Sequence, residues 1–356
     1  MKRLISLDVL RGITIFGMIL VNNGVGEQQF STLQHVAWNG MTPCDLVFPF
    51  FLFIVGVSMY LSMKKTEFKP SMPLVWKIIR RTIILFALGT LLHAWDAWIW
   101  GEENILENLR IWSVLGRIAL AYGIASFILL IVHQPRQLLS IAFGLLALYS
   151  IIIICGNGYA QDETNLAAII DRALVGEAHL YHKSPVDPEG LLGVISSVAH
   201  VLIGVVIGKF MIEKTDFDSR LTKIFTLAFT IGIIGYLVSF GLPLNKRIWS
   251  PSYVLVTCSL ASGILALLIQ IIDKSGHDRW CQPFRIFGMN ALFLYVLSEA
   301  LAAVLWRMSI PEAAYSFFLS MSISPEWSST LYALLLDSFM LLIAWGMWKM
   351  KWFIKL

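Results

Sequence analysis

Asp45-Leu46-Val47-Phe48-Pro49-Phe50-Phe51-Leu52-Phe53-Ile54-Val55-Gly56-Val57-Ser58-Met59-Tyr60-Leu61-Ser62-Met63 is the stretch that decides the fold. After Asp45 it carries no charge until Lys64. A helix crossing the roughly 30 Å hydrocarbon core of a bilayer needs about 20 mostly apolar residues. Residues 45–63 meet that length and read as a membrane span.

Immediately upstream lies His35-Val36-Ala37-Trp38-Asn39-Gly40-Met41-Thr42-Pro43-Cys44. It sets a histidine and an asparagine at the mouth of the span, close to Asp45. His35 has the side chain best suited to move a proton near neutral pH. Asp45 can orient the ring and stabilise its charged form, the base-plus-orienter arrangement of a triad. Asn39, or Asn22 at the end of the preceding apolar run, can donate to a developing oxyanion. Trp38-Asn39-Gly40 predicts a tight turn that aims the loop back at the membrane. A histidine that merely caps a helix is the plain alternative.

The rest of the chain is of the same kind. It is 57% hydrophobic and 14% charged, against about a quarter charged in soluble domains. Apolar runs near 5–24, 45–63, 77–94, 112–132, 138–155, 191–211, 222–240, 252–272, 285–305 and 330–348 predict an all-α, polytopic membrane helix bundle of about ten spans. Segment 310–322 is too short and polar to cross. No linker, repeat or low-complexity tract divides the sequence, so residues 1–356 read as one transmembrane domain. The first run carries Asp8 and Arg11 and has no small-residue cleavage site, and it reads as a retained helix rather than a signal peptide. Four cysteines without a Cys-x-x-Cys pair argue for packing residues rather than a metal framework.

Basic residues sort by loop. Alternate loops hold Lys2 and Arg3; Lys64, Lys65, Lys69, Lys77, Arg80 and Arg81; Arg136; Lys209, Lys214, Arg220 and Lys223; Lys274, Arg279 and Arg285; and Lys349, Lys351 and Lys355. Those are 19 of the 27 basic residues. The opposite loops carry Arg110, Arg172, Lys183, Lys246, Arg247 and Arg307. The positive-inside rule then predicts both termini in the cytoplasm and the His35 loop outside.

Charges inside spans cost about 2.5–3.5 kcal/mol at a helix centre and call for partners. Asp8 and Arg11, three apart, share a helix face and can pair; Arg11 can equally meet a phosphate. Asn22 and Asn23 end the first helix. Arg117 opens the fourth span and either snorkels or anchors a ligand. Asn290, Glu299 and Asp337 are expected to face the bundle interior, with Glu299 the best functional candidate. The absence of a Walker loop, a His-Glu-x-x-His run or a Gly-x-Ser-x-Gly elbow removes support for nucleotide hydrolysis, zinc proteolysis and serine hydrolysis. No basic, aromatic-interleaved surface points to nucleic acid.

Taken together, Ser6-Leu7-Asp8-Val9-Leu10-Arg11-Gly12, Val21-Asn22 and His35…Trp38-Asn39-Gly40…Asp45-Leu46-Val47-Phe48-Pro49 resemble the heparan-alpha-glucosaminide N-acetyltransferase family. Arg117 with Tyr122, Asp187-Pro188-Glu189-Gly190, Asn245-Lys246 with Trp249, and Gly288-Met289-Asn290 continue the resemblance in order. It implies acetyl transfer from cytoplasmic acetyl-CoA, without a metal, to the amine of a terminal glucosamine on the far side of the membrane. It implies His35 as a catalytic residue with Asp45, Asn22 and Asn39 around it. Trp38, Arg11, Asp8, Arg117, Glu189, Asn245, Lys246, Trp249, Asn290 and Glu299 become candidate contacts to substrate or CoA. A homodimer is also implied. The chain lacks the animal enzymes' lumenal extension, so a bacterial inner membrane is expected rather than a lysosome. Leu297-Ser298-Glu299 stands where the animal sequence is expected to read Gly-His-Glu, which removes a second catalytic histidine there. O-acetylation of an envelope polysaccharide and transport of a small glycan are the alternatives.

Overall fold

The computed structural model describes residues 4–181 and 184–354. Lys2, Arg3, Lys183 and Lys355 of the charge pattern lie outside the described residues. The described residues hold only helices and loops: α1 Ile5–Asn22, α2 Val47–Met63, α3 Met72–Trp100, α4 Ile105–Asn108, α5 Val114–Ile131, α6 Pro135–Cys155, α7 Leu166–Val175, α8 Val194–Met211, α9 Phe217–Val238, α10 Pro251–Leu268, α11 Gln282–Met289, α12 Ala291–Arg307, α13 Ile310–Ser320 and α14 Pro325–Lys349. The all-α membrane reading is correct. Nine helices among them are long and apolar enough to cross a membrane, or ten if a bent pair counts as one span.

That bent pair is α11 and α12, which meet at 84°. The sequence predicts one straight span over 285–305, but the helix breaks at Asn290. The Asn290 side chain explains the break. Its Nδ2 donates to the Trp352 carbonyl and its Oδ1 accepts from the Ile354 amide, both at 2.9 Å. The amide that an unbroken helix would point at a neighbour is spent on holding the chain beyond α14. Segment 310–322 is a short helix, as its length predicts.

Helix α8 sits at the centre of the bundle, with nearly every residue from Val194 to Gly208 buried. Small residues let α2 reach it. A Cβ on Gly56 would fall 2.1 Å from the Val201 carbonyl oxygen, and one on Gly204 would fall 2.4 Å from that of Phe53. In lipid, such backbone contact supplies the dispersion that a hydrophobic effect between helices cannot. The same device joins α1 to α11, where a Cβ on Gly12 would lie 1.7 Å from the Phe284 oxygen. These contacts fix α2 against α8 and α1 against α11; Asp45 lies just before α2, and Asn22 is the last residue of α1.

Candidate active site

The His35 loop is tied down at both ends. The Gly40 amide donates to the Leu244 carbonyl at 2.7 Å, and Gly40 adopts φ +119°, where a side chain is strained. The Trp38 indole donates to the Tyr159 carbonyl at 3.0 Å. Thr42 and Asp45 form a capping box at the turn Pro43–Leu46 that leads into α2. His35 and Asp45 therefore meet because the loop folds back on the first turn of the span.

His35 Nδ1 lies 2.8 Å from Asp45 Oδ1, with the imidazole 49% exposed and the carboxylate 2% exposed. Asp45 Oδ2 accepts from the Thr42 and Val36 amides at 3.1 and 3.3 Å and from the Thr42 hydroxyl at 3.1 Å. A buried carboxylate held by three donors is a fixed acceptor, and it fixes the tautomer: Nδ1 carries the proton and Nε2 keeps its lone pair.

Two further groups crowd the ring. Lys246 Nζ lies 3.1 Å from Nδ1, 3.4 Å from Nε2 and 3.4 Å from Asp45 Oδ1. Cys44 Sγ lies 3.0 Å from Nδ1. Cys44, read from sequence as a packing residue, is thus part of the centre; its adjacency to Asp45 was the available signal. Lys246 was expected only as a substrate contact, and nothing in sequence spacing joins it to residues 211 positions away.

Asn245 fastens Lys246. Its Nδ2 donates to Asn39 Oδ1 at 3.1 Å, its Oδ1 accepts from the Ile248 amide at 3.1 Å, and its own amide donates to Ser250 Oγ at 3.0 Å. The turn brings Trp249 into the left-handed region at φ +54° and buries it against Phe48 and Tyr253. Arg117 lies over the same indole at 5.2 Å, is buried, and donates to the Gly190 carbonyl at 3.0 Å. Its Nε and Nη1 have no hydrogen-bond partner among the described residues. Arg117 is an internal strut behind His35 rather than a snorkelling side chain.

Asn22 and Glu299 meet elsewhere. Asn22 Nδ2 donates to Glu299 Oε1 at 2.9 Å, and both line a cavity of about 510 Å³ with His93, Asp96, Trp100, Arg110, Tyr295 and Trp306. His35 is not among the lining residues. His93 and Asp96 had no motif around them; only the closure of α3 against α12 brings them to Glu299. Arg110 connects the cavity to the loop between α7 and α8. It holds Asp187 at 2.8 Å and Glu189 at 2.5 Å. Burial alone would lower the Arg110 pKa, but those two carboxylates outweigh it and leave the value raised. Glu189 is therefore already engaged by Arg110.

Asp8 and Arg11 form the expected pair at 3.0 Å. Arg11 also donates to the Gly288 carbonyl at 3.2 Å and to Ser58 Oγ at 2.9 Å. Eleven residues of helix separate Arg11 from Asn22, about 16 Å along the axis. Asp8, Arg11 and Asn290 are thus gathered around α11, about three helical turns from Asn22.

A family profile described as "Heparan-alpha-glucosaminide N-acetyltransferase, catalytic" matches residues 3–237. The curated heparan-alpha-glucosaminide N-acetyltransferase of Mus musculus is 29% identical over 362 residues, spanning 84% of this chain and 54% of that protein. The Homo sapiens protein of the same name is 31% identical over 368 residues, spanning 83% of this chain and 53% of its own. The chain spans about half the length of the curated relatives it matches.

Proposed function

Because the chain belongs to the heparan-alpha-glucosaminide N-acetyltransferase family, we propose that it is a transmembrane acetyltransferase that moves an acetyl group from cytoplasmic acetyl-CoA to the amine of a glucosamine-type sugar on the extracytoplasmic side. The observation that carries this reading is the His35–Asp45 pair: a half-exposed imidazole whose Nδ1–H is taken by a buried carboxylate at 2.8 Å. Such a ring offers Nε2 as a general base.

The acceptor arrives as an ammonium and has no lone pair. His35 Nε2 takes its proton, the amine attacks the thioester carbonyl, and the C–N bond forms as the C–S bond breaks. The CoA thiolate then leaves with the proton from the imidazolium, and the second proton, shed by the nitrogen as it becomes an amide, passes through the freed Nε2 to solvent. Asp45 stabilises that imidazolium. Asn39 spends its side-chain oxygen on Asn245, which leaves its amide N–H groups for the oxyanion. For Asn22 to join, its Nδ2 must exchange Glu299 for substrate. A route through acetyl-His35 uses the same residues in two steps.

The cavity beside Asn22 and Glu299 has the size of a small-molecule site, with two indoles to meet a sugar face; His35 does not line it, so the reacting amine must lie beyond the cavity to reach Nε2. Trp38, Arg117, Asn245 and Trp249 act as the frame of the His35 centre, Glu189 through Arg110, and Asp8, Arg11 and Asn290 on the donor's side. Ten spans, counting α11 and α12 as one, keep both termini on one side of the membrane, and the distribution of basic residues supports the cytoplasm for that side and the periplasm of a bacterial inner membrane for the His35 loop. The chain acts as one domain and pairs as a homodimer.

Incubation of purified protein with labelled acetyl-CoA and glucosamine tests the reaction. Label is expected on the sugar, and His35→Ala is expected to abolish it. The broken α11–α12 span supports a second reading, glycan transport, since discontinuous helices line transporter sites. Sugar uptake into vesicles without label transfer would favour that reading.

A further inference from the structure

We infer that Lys246 is itself an acceptor: when no sugar is bound, the enzyme acetylates its own Lys246 and so silences the His35 centre. This rests on the acetyl-transfer reading above. The reaction needs an amine beside a base and a thioester within reach of both. Lys246 Nζ is an amine 3.4 Å from His35 Nε2, the ring atom with the open lone pair, and 3.4 Å from the carboxylate that steadies the imidazolium. Lys246 thus holds, beside Nε2, an amine at the separation a sugar amine would need to pass its proton to the ring.

The lysine is held there by more than its own reach. The Trp249 amide bonds the Lys246 carbonyl, and Asn245 is fixed by Ser250, Ile248 and Asn39. The His35 loop is bonded to the same turn through Gly40 and Leu244. Amine and base are thus two sides of one braced structure. In the step, His35 takes a proton from the Lys246 ammonium, and Nζ attacks the acetyl carbonyl. The C–N bond forms and the C–S bond breaks; the first proton passes from His35 to the departing thiolate, so that CoA leaves as the thiol, and the second proton, shed by Nζ as it becomes an amide, passes through the freed His35 to solvent. The acetamide has no charge for Asp45 and fills the space before Nε2, so it competes with further turnover.

The test uses the full-length protein in detergent with labelled acetyl-CoA and no sugar, read by peptide mass spectrometry. The expected result is an acetyl group on Lys246 that survives neutral hydroxylamine, as an amide does and an acetyl-imidazole or acetyl-cysteine does not. Its formation should outpace that on exposed Lys69, slow on addition of glucosamine, and fall on the order of a hundredfold in His35→Ala. Asp45→Asn serves where His35→Ala does not fold. If glucosamine is acetylated while Lys246 stays unmodified, or is modified no faster than Lys69, the inference is wrong and the acetyl-transfer reading stands. If neither amine is acetylated, both are wrong.

Discussion

The Tyr253 hydroxyl donates a 2.5 Å hydrogen bond to the main-chain carbonyl of Asp45. It anchors the orienting carboxylate to α10, at the point where the turn carrying Lys246 enters that helix. Both partners are buried, so no water replaces the donor if it is lost. Tyr253→Phe should cost about 1–3 kcal/mol, the usual cost of stranding a buried acceptor. It should also lower kcat for acetyl transfer severalfold with little change in KM for acetyl-CoA. Thermal unfolding and steady-state kinetics check both; unchanged values would show that the bond does not hold Asp45 in place.

Asp45→Asn tests the orienter directly. The substitution keeps size and shape but sets an N–H against donors from His35, Thr42, Val36 or Lys246. The imidazole then loses its fixed tautomer and its counter-charge. The rate should fall by about 10²–10⁴, the range for a positioned base and its orienter. A variant that folds and retains wild-type kcat would remove Asp45 from the mechanism.

Local features of the site were legible and distant ones were not. His35 and Asp45 are ten residues apart across a turn that Asn39-Gly40 announces, and Asp8 and Arg11 share a helix face by spacing alone. The apolar runs gave the spans because a bilayer permits few alternatives. Lys246 joins His35 only through the meeting of the Leu244–Ser250 turn with the His35 loop, a tertiary contact with no period in the sequence. The break at Asn290 was hidden for a related reason. Residues 285–305 are apolar enough for one helix, and what interrupts it is a partner at Trp352 and Ile354. Cys44 is buried, as a packing cysteine would be, and its contact with His35 follows from the same fold of the loop onto α2.

The α2–α8 contact predicts a packing effect far from any chemistry. Gly56→Ala would press a methyl group onto the Val201 carbonyl, and Gly204→Ala onto that of Phe53. Backbone cannot yield as a side-chain tip can, so the helices must separate. Each change should cost about 1–3 kcal/mol or more, as overpacked cores do. A lower melting temperature in detergent is the expected readout, and an unchanged one would mean that the helices can part without cost.

Asp171 on α7 gives the segment between α6 and α8 a pH dependence. It is buried, and its Oδ1 accepts from the Leu191 amide at 2.9 Å. Burial, and then the nearby Asp187 carboxylate, push its carboxyl up to about 6, against the pull of the Leu191 amide and Arg117. A carboxyl raised above its ordinary value of 3.8 holds its proton more tightly in the folded chain than in the unfolded one. Its contribution to stability is therefore complete below that ordinary value and is lost as pH rises through about 6. Asp171→Asn keeps an acceptor for the Leu191 amide and removes the titration. Between those two pH values, the melting temperature of the wild type relative to Asp171→Asn should fall as pH rises. Parallel melting curves across that window would show that Asp171 ionises alike in both states.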